Sequence, residues 1–267
     1  MDTVQATVTS KDGTKIVYDQ QGEGAAVILI DGAMCTRSFG SKPELVKLLA
    51  AHFTVYSYDR RGRGDSGDTK PYAVEREIED IEALIAEAGG AACLYGHSSG
   101  AALALEAAVT LGDTIKKIAM FEAPYNDDRE AQRGWREYTQ QLTELLAADR
   151  RGDAIALFMA LVGTPADQIE GMRRAPFWPA LETIAPTLAY DHTAILGEDG
   201  ALPIARAAQV TVPTLVMAGG ASYPFMHETA HALSEAMPHA QLRILEGQRH
   251  EVSPEALAPV LMEFFRA

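Results

Sequence analysis

The chain has 267 residues, of which 47% are hydrophobic and 22% are charged, and this composition is typical of a globular protein rather than a disordered or fibrous one. The formal net charge is −14, with 23 Lys and Arg spread among 37 Asp and Glu. No basic face is therefore expected, and we expect no nucleic-acid partner. Two cysteines are too few for a disulfide framework, and a reducing compartment fits best.

The chain start shows no basic segment followed by an apolar stretch, and no later run reaches the roughly 18 apolar residues of a membrane helix. We therefore expect a cytoplasmic protein without a membrane partner. Its expected partner is a small-molecule substrate, and the expected state is a monomer or homodimer.

Eight segments are predicted to form strands. Val4–Thr9 and Lys15–Gln20 flank Asp12-Gly13 and predict an antiparallel hairpin at one sheet edge. Ala26–Ile30 is an uninterrupted apolar run, as expected of a strand buried on both faces of a sheet. The other strand-like segments are Phe53–Tyr58, Ala91–Tyr95, Ile115–Phe121, Thr214–Ala218 and Gln241–Leu245.

Helical patterns alternate with most of these strands. Such alternation predicts an α/β fold with a mostly parallel sheet, right-handed crossovers and helices on both faces. A ligand crevice is then expected at the carboxyl ends of the strands. The predicted helices are Pro43–Ala51, Val74–Ala88, Ser99–Leu111, Met226–Met237 and Pro254–Phe265.

The alternation stops between Asn126 and Arg206, where no strand-like run appears. This segment follows a strand at the carboxyl-end side of the sheet, so it is predicted to be a helical cap over the crevice. Residues 1–125 and 207–267 are expected to form the core domain, and residues 126–206 the inserted cap.

A G-x-S-x-G pattern, Gly96-His97-Ser98-Ser99-Gly100, lies between an apolar strand and an Ala- and Leu-rich helix. Its glycines permit a sharp strand-to-helix turn, which exposes the Ser98 hydroxyl at the positive end of a helix. Ser98 is therefore the candidate nucleophile.

Together with two other segments, this turn resembles the α/β-hydrolase superfamily over essentially the whole chain. Tyr58–Gly67 resembles the loop after the family's fourth strand, and Gly247–His250 resembles its terminal histidine loop. The resemblance implies an α/β-hydrolase fold, with an eight-stranded, mostly parallel sheet, flanking helices and a helical cap between strands six and seven. Arg60–Gly64 is basic and glycine-rich but lacks a P-loop or dinucleotide pattern, so we interpret it as a structural turn.

His250 is the candidate general base. It follows the last strand-like segment and precedes the helix that begins near Ser253, so its imidazole is expected to project toward Ser98. His97 is expected to point elsewhere from the turn, because it directly precedes Ser98 in the chain.

The acid of a Ser–acid–His triad has two candidates. In the family that the chain resembles, the acid is most commonly an Asp after the seventh strand. Ser222 occupies that position here. Glu122 lies at the end of the preceding strand, where some members of the family carry their acid, and it keeps the order Ser, acid, His. A serine cannot stabilise an imidazolium as a carboxylate does, so Glu122 is predicted to orient His250.

Two backbone N–H groups are expected to bind an oxyanion, those of Ser99 and Ala33. Ala33 lies in a loop that resembles the family's His-Gly-x turn but carries Asp31 in place of the histidine. A carboxylate facing the oxyanion would oppose its charge, so Asp31 is expected to turn away and to be paired, or to be a solvated turn residue. The arginines available for this pairing are Arg37, Arg60 and Arg61.

These residues predict a serine hydrolase that cleaves a small apolar ester, thioester or lactone through an acyl-enzyme on Ser98. No cofactor is expected, and no metal-ligand spacing such as H-E-x-x-H occurs. Two alternatives remain open. The same fold could act as a lyase, acyltransferase, C–C hydrolase or cofactor-free peroxidase, or the chain could be a catalytically degenerate ligand-binding protein.

Overall fold

The computed structural model describes residues 3–39 and 42–267, and eight strands in this part of the chain form one sheet. The spatial order is β1-β2-β4-β3-β5-β6-β7-β8. β1 and β2 are antiparallel to their neighbours, and the strands from β3 to β8 are parallel. The strands are β1 (Val4–Thr9), β2 (Lys15–Gln21), β3 (Ala26–Ile30), β4 (Thr54–Tyr58), β5 (Ala92–His97), β6 (Ile115–Phe121), β7 (Thr214–Gly219) and β8 (Ala240–Leu245).

Helices follow most of the parallel strands, which confirms the predicted α/β class and the mostly parallel, eight-stranded sheet with flanking helices. The first helix after β7 begins at Pro224 rather than Met226, since proline suits the first turn of a helix. The helices are α1 (Lys42–Ala50), α2 (Val74–Glu87), α3 (Ser99–Leu111), α4 (Arg129–Ala147), α5 (Arg151–Leu161), α6 (Ala166–Met172), α7 (Trp178–Ile184), α8 (Ile204–Ala207), α9 (Pro224–Ala236) and α10 (Pro254–Arg266).

The sheet separates two apolar layers. The side chains of β3 alternate between them because successive strand residues face opposite sides. Ile28 and Ile30 pack with residues of α2 and α3, whereas Val27 and Leu29 pack with residues of α1 and α10. These four side chains of β3 are fully buried, as predicted for a strand covered on both faces.

The chain between β6 and β7 forms the helices α4 to α8, here called the helical insertion, and a π-helical turn at Tyr190–Ile195. The insertion has its own apolar cluster, which includes Leu142 and Trp178 and also Met34 from the loop after β3. It therefore packs against the carboxyl-end side of the sheet. The predicted domain boundary between residues 206 and 207 falls inside α8, which continues to Ala207.

Within the described ranges, none of the helices combines the length and apolar character that crossing a membrane requires. Neither of the two cysteines, Cys35 and Cys93, forms a disulfide. Cys93 is buried in β5, and this burial raises the pKa of its thiol to about 11.

Replacing Leu94 with alanine tests the central position of β5. Leu94 is fully buried between the sheet and its helices, so truncation leaves a cavity. We expect the free energy of unfolding to fall by about 2–5 kcal/mol, measured by urea denaturation. Val4 on the edge strand is 58% exposed, and Val4→Ala, as the control, is expected to change stability by no more than about 0.5 kcal/mol. Equal losses of unfolding free energy in the two variants would contradict the placement of Leu94 in the core.

Candidate active site

Ser98 lies in a sharp turn between β5 and α3, with backbone φ 57° and ψ −127°. A non-glycine residue rarely adopts a positive φ, so the turn is a strained conformation held by its surroundings. Its N–H donates to the carbonyl oxygen of Phe121 at 2.9 Å. A Cβ on Gly96 would lie 2.4 Å from the Gly100 carbonyl oxygen, and a Cβ on Gly100 would lie 2.2 Å from the Ile30 carbonyl oxygen. Both glycines are therefore sterically required.

The loop after β3 passes directly beside Ser98. A Cβ built on Gly32 would lie 3.0 Å from the Ser98 Cβ and 3.5 Å from the Ser98 Oγ. Among the hydrogen bonds of the described residues, none is donated by the N–H of Ala33 or of Ser99. The structure thus brings the two predicted oxyanion-binding residues to the candidate nucleophile with their N–H groups unused.

Glu122 follows β6 and is 2% exposed. Its Oε2 lies 2.7 Å from His250 Nδ1, and its Oε1 accepts a hydrogen bond from the N–H of Gly219 at 2.8 Å. Burial would raise the pKa of Glu122, but the hydrogen bonds from His250 and Gly219 outweigh it and lower the pKa below its ordinary value. The side chain is therefore a carboxylate near neutral pH. It can accept a hydrogen bond from a protonated Nδ1 of His250.

Ser222, the other candidate for orienting His250, also lies near Glu122. Its hydroxyl contributes to the lowered pKa of that carboxyl group. Its buried Oγ meets no partner at hydrogen-bond geometry among the described residues. Glu122 is thus the side chain that forms a hydrogen bond with the imidazole of His250, and Ser222 lies beside this pair.

His97 was set aside in the sequence, and the expectation that it points elsewhere is wrong. Its Nε2 lies 2.9 Å from the backbone carbonyl oxygen of His250, and the centroids of the two rings are 4.9 Å apart. β5 continues through His97, which brings this side chain to the carboxyl edge of the sheet, where the loop carrying His250 also lies. The two residues are 153 positions apart, so local sequence patterns could not reveal the contact.

His227, in the first turn of α9, also supports the site. Its Nε2 lies 2.7 Å from the carbonyl oxygen of Gly219, whose N–H donates to Glu122. The end of β7 is therefore held between a histidine and the buried carboxylate.

Asp31 is 5% exposed, and its expected pairing with a nearby arginine is wrong for all three arginines named. Arg60 donates to the backbone carbonyl oxygen of Asp31 at 3.0 Å instead of to its carboxylate. All three guanidinium groups pair with other carboxylates. Arg37 pairs with Asp19, Asp59 and Asp65, Arg60 with Glu77 and Asp191, and Arg61 with Asp12 and Asp80.

An aromatic group of the helical insertion surrounds His192 in the π-helical turn. Its Nδ1 lies 2.7 Å from the Tyr138 hydroxyl, and the rings of Trp135 and Phe158 lie 5.3 and 5.2 Å from its own. Burial lowers the pKa of His192 to about 4, an effect that the neighbouring Asp191 opposes. The imidazole is therefore neutral at pH 7.

Residues 32–260 match the alpha/beta hydrolase family, and the chain belongs to this family. By its family and its relatives it is a hydrolase-type enzyme. It is 49% identical to an alpha/beta hydrolase from Sphaerobacter thermophilus, with 97% of this chain and 100% of that chain covered and a TM-score of 0.86.

Two further relatives come from other organisms. The 2-(acetamidomethylene)succinate hydrolase of Mesorhizobium japonicum is 26% identical, over 93% of this chain and 90% of that protein. A thermophilic esterase from Thermogutta terrifontis has the same fold, with 20% identity, 100% and 98% of the two chains covered, and a TM-score of 0.68.

Replacing Gly100 with alanine tests the packing of the turn. The added methyl group would collide with the Ile30 carbonyl oxygen, so α3 or the loop after β3 must shift. We expect the free energy of unfolding to fall by about 1–3 kcal/mol, measured by calorimetry.

Gly134→Ala is the matched control, because this exposed glycine of α4 has open space where the Cβ would be. It is expected to raise the stability by about 0.5–1 kcal/mol, since alanine favours the helix. A Gly100→Ala variant as stable as the control would contradict the close contact at the turn.

Proposed function

We propose that the protein is a serine hydrolase that cleaves a small apolar ester, thioester or lactone through an acyl-enzyme on Ser98. The observation that carries this proposal is the 2.7 Å contact between His250 Nδ1 and the buried Glu122 carboxylate. A carboxylate accepts hydrogen bonds only, so the proton of neutral His250 lies on Nδ1. Nε2 is then left as the basic nitrogen, as general-base catalysis requires.

In the proposed reaction, the Ser98 oxygen attacks the acyl carbon while His250 Nε2 takes the hydroxyl proton. The Glu122 carboxylate stabilises the resulting imidazolium, with which it shares a short hydrogen bond. Collapse of the tetrahedral intermediate expels the leaving group, which receives the proton from His250. Water then attacks the acyl-serine with the same histidine as base, and the carboxylic acid is released.

The negative charge of the tetrahedral intermediate develops on the former carbonyl oxygen. The N–H groups of Ala33 and Ser99 belong to residues beside Ser98 and have no other acceptor among the described residues. Donors that are already oriented and free stabilise such an oxyanion without reorganisation. This arrangement supports acyl transfer over a purely binding role.

The surroundings of the site support an apolar substrate. Ala33 and Met34 pack against the apolar cluster of the helical insertion, to which Trp135 and Phe158 also belong. Clefts lined by such side chains bind ligands mainly through burial of apolar surface.

A second candidate reaction is the hydrolysis of an N-acyl bond. The relative from Mesorhizobium japonicum acts on a substrate whose name includes an acetamido group. The same histidine would have to protonate an amine as it leaves. Comparing p-nitroacetanilide with p-nitrophenyl acetate separates the two candidates, because faster turnover of the anilide would favour the amide.

Three variants test the proposed triad with p-nitrophenyl acetate and butyrate. Ser98→Ala is expected to abolish turnover and the burst of p-nitrophenol. Glu122→Gln is expected to lower kcat by about three to four orders of magnitude, since the imidazolium loses its charged partner. Ser222→Ala is expected to keep kcat within about threefold of the wild type, because this hydroxyl does not bond His250.

Thermal unfolding of each variant serves as the control for folding. Turnover that survives Ser98→Ala would overturn the proposed nucleophile. A larger loss in Ser222→Ala than in Glu122→Gln would move the orienting role to the serine. A folded wild type that hydrolyses neither esters nor anilides would contradict the proposed function.

A further inference from the structure

Four charged side chains are buried between the helical insertion and the sheet. This buried charge network consists of Arg60, Arg63, Glu77 and Asp191, and each member is at most 1% exposed. Arg60 forms a two-bond pair with Glu77, at 2.7 Å each. The two carboxylate oxygens of Asp191 accept from Arg60 Nη1 and Arg63 Nη2, both at 2.6 Å.

The two arginines of this network also bind the loop after β3. Arg60 Nη1 donates to the carbonyl oxygen of Asp31 at 3.0 Å, and Arg63 Nη1 donates to that of Gly32 at 2.6 Å. Two successive carbonyl groups of the loop are therefore held by guanidinium groups. Each guanidinium is in turn held by Asp191.

The bond from Arg63 fixes the orientation of one particular N–H group. The carbonyl of Gly32 and the N–H of Ala33 belong to the same peptide plane, which is trans. In a trans peptide these two groups point in opposite directions. A carbonyl held toward Arg63 therefore directs the Ala33 N–H away from it. The positive charge at the carbonyl also polarises the peptide and makes its N–H a stronger donor.

Asp191 contacts the second donor residue as well. The Ser99 hydroxyl donates to Asp191 Oδ1 at 2.7 Å, at the start of α3. Burial raises the pKa of Asp191, but the charges of Arg60 and Arg63 outweigh it and hold the pKa at about 2. The carboxylate is therefore ionised across the pH range in which an esterase is assayed.

We propose that Asp191 and Arg63 are positioning residues for the oxyanion site, with Asp191 of the helical insertion orienting Ala33 through Arg63 and Ser99 through its hydroxyl. This inference rests on the proposed function, in which both N–H groups bind the oxyanion. Asp191 and Arg63 do not touch the substrate in this role. They act by fixing backbone groups before the substrate arrives, as preorganised electrostatic stabilisation requires.

Asp191→Asn is the principal test, because asparagine keeps the shape of the side chain and removes its charge. We expect kcat for p-nitrophenyl acetate to fall by about 10- to 100-fold, with KM within about threefold of the wild type. Inhibition by phenylboronic acid, which forms a tetrahedral adduct with a serine, is expected to weaken by a similar factor. A variant that only bound the substrate less well, or only lost stability, would not lower kcat and boronate affinity together at a nearly unchanged KM.

Asp80→Asn is the matched control. Asp80 forms an equally buried two-bond pair with Arg61, at 2.8 and 2.7 Å, in the same loop after β4. Arg61 also donates to Asp12, Ser10 and the carbonyl of Arg76, and among the described residues it forms no hydrogen bond with the loop after β3. This variant is expected to lose thermal stability while keeping kcat and the boronate affinity within about twofold.

The double variant Arg63→Met/Asp191→Asn separates positioning from simple charge burial. It removes one positive and one negative charge together, so the melting temperature is expected to recover toward that of the wild type relative to Asp191→Asn alone. The kcat and the boronate affinity are expected to stay low, because Gly32 has lost its donor. Recovery of kcat and boronate affinity together with stability would overturn the proposal.

Ser99→Ala provides a milder test if Asp191→Asn does not fold, since it deletes one hydroxyl and keeps the backbone N–H. It is expected to lower kcat and boronate affinity together, and unchanged values would overturn the role of this contact. Wild-type kcat in Asp191→Asn would overturn the positioning role and leave the Ser98-dependent activity standing. A wild type without Ser98-dependent turnover would instead remove the proposed function, and this proposal with it.

Discussion

Burial of four charges in one water-excluded space constrains the whole carboxyl-end side of the sheet. A charge removed from water is tolerated only when it is paired and hydrogen-bonded, and removing one partner leaves an uncompensated charge. Glu77 comes from α2, Arg60 and Arg63 from the loop after β4, and Asp191 from the π-helical turn. These elements must therefore meet in one arrangement for the network to close. Well-packed apolar side chains could be as stable, so the network specifies the arrangement more than it adds stability.

The loop after β3 is fixed from two sides as a consequence. On one side, Gly100 of α3 lets the backbone approach so closely that even a methyl group would collide with the Ile30 carbonyl oxygen. On the other side, Arg60 and Arg63 hold the next two carbonyl groups. The backbone at Gly32 therefore lies so close to Ser98 that an added Cβ would be 3.0 Å from the Ser98 Cβ, and its carbonyl accepts a charge-assisted hydrogen bond from Arg63. A loop without regular secondary structure thus has a defined backbone beside the candidate nucleophile.

Much of the fold could be predicted from local patterns, because apolar runs and helical periods are properties of neighbouring residues. The glycines around Ser98 and the position of Glu122 after β6 also belong to short segments, and the structure places Glu122 against His250. The buried charge network escaped prediction, since Arg60 lies 17 positions from Glu77 and 131 from Asp191. The arginine-rich turn was interpreted as structural, and Asp31 was the carboxylate considered for its arginines. That prediction failed because proximity in the sequence does not show which carboxylates lie near these arginines in the folded protein.

The two arginines that bind the loop after β3 also hold the π-helical turn on the core, through Asp191. Moving the turn away would break the bonds of Asp191 to Arg60, Arg63 and Ser99 together. Buried hydrogen bonds to charged groups contribute about 1.5–3 kcal/mol each, so this separation costs several times the thermal energy. Arg60 would keep its pair with Glu77, whereas Arg63 would keep only the carbonyl of Gly32. Displacement of the insertion at this end would therefore leave Arg63 without the carboxylate that holds it, and the loop after β3 without this indirect support.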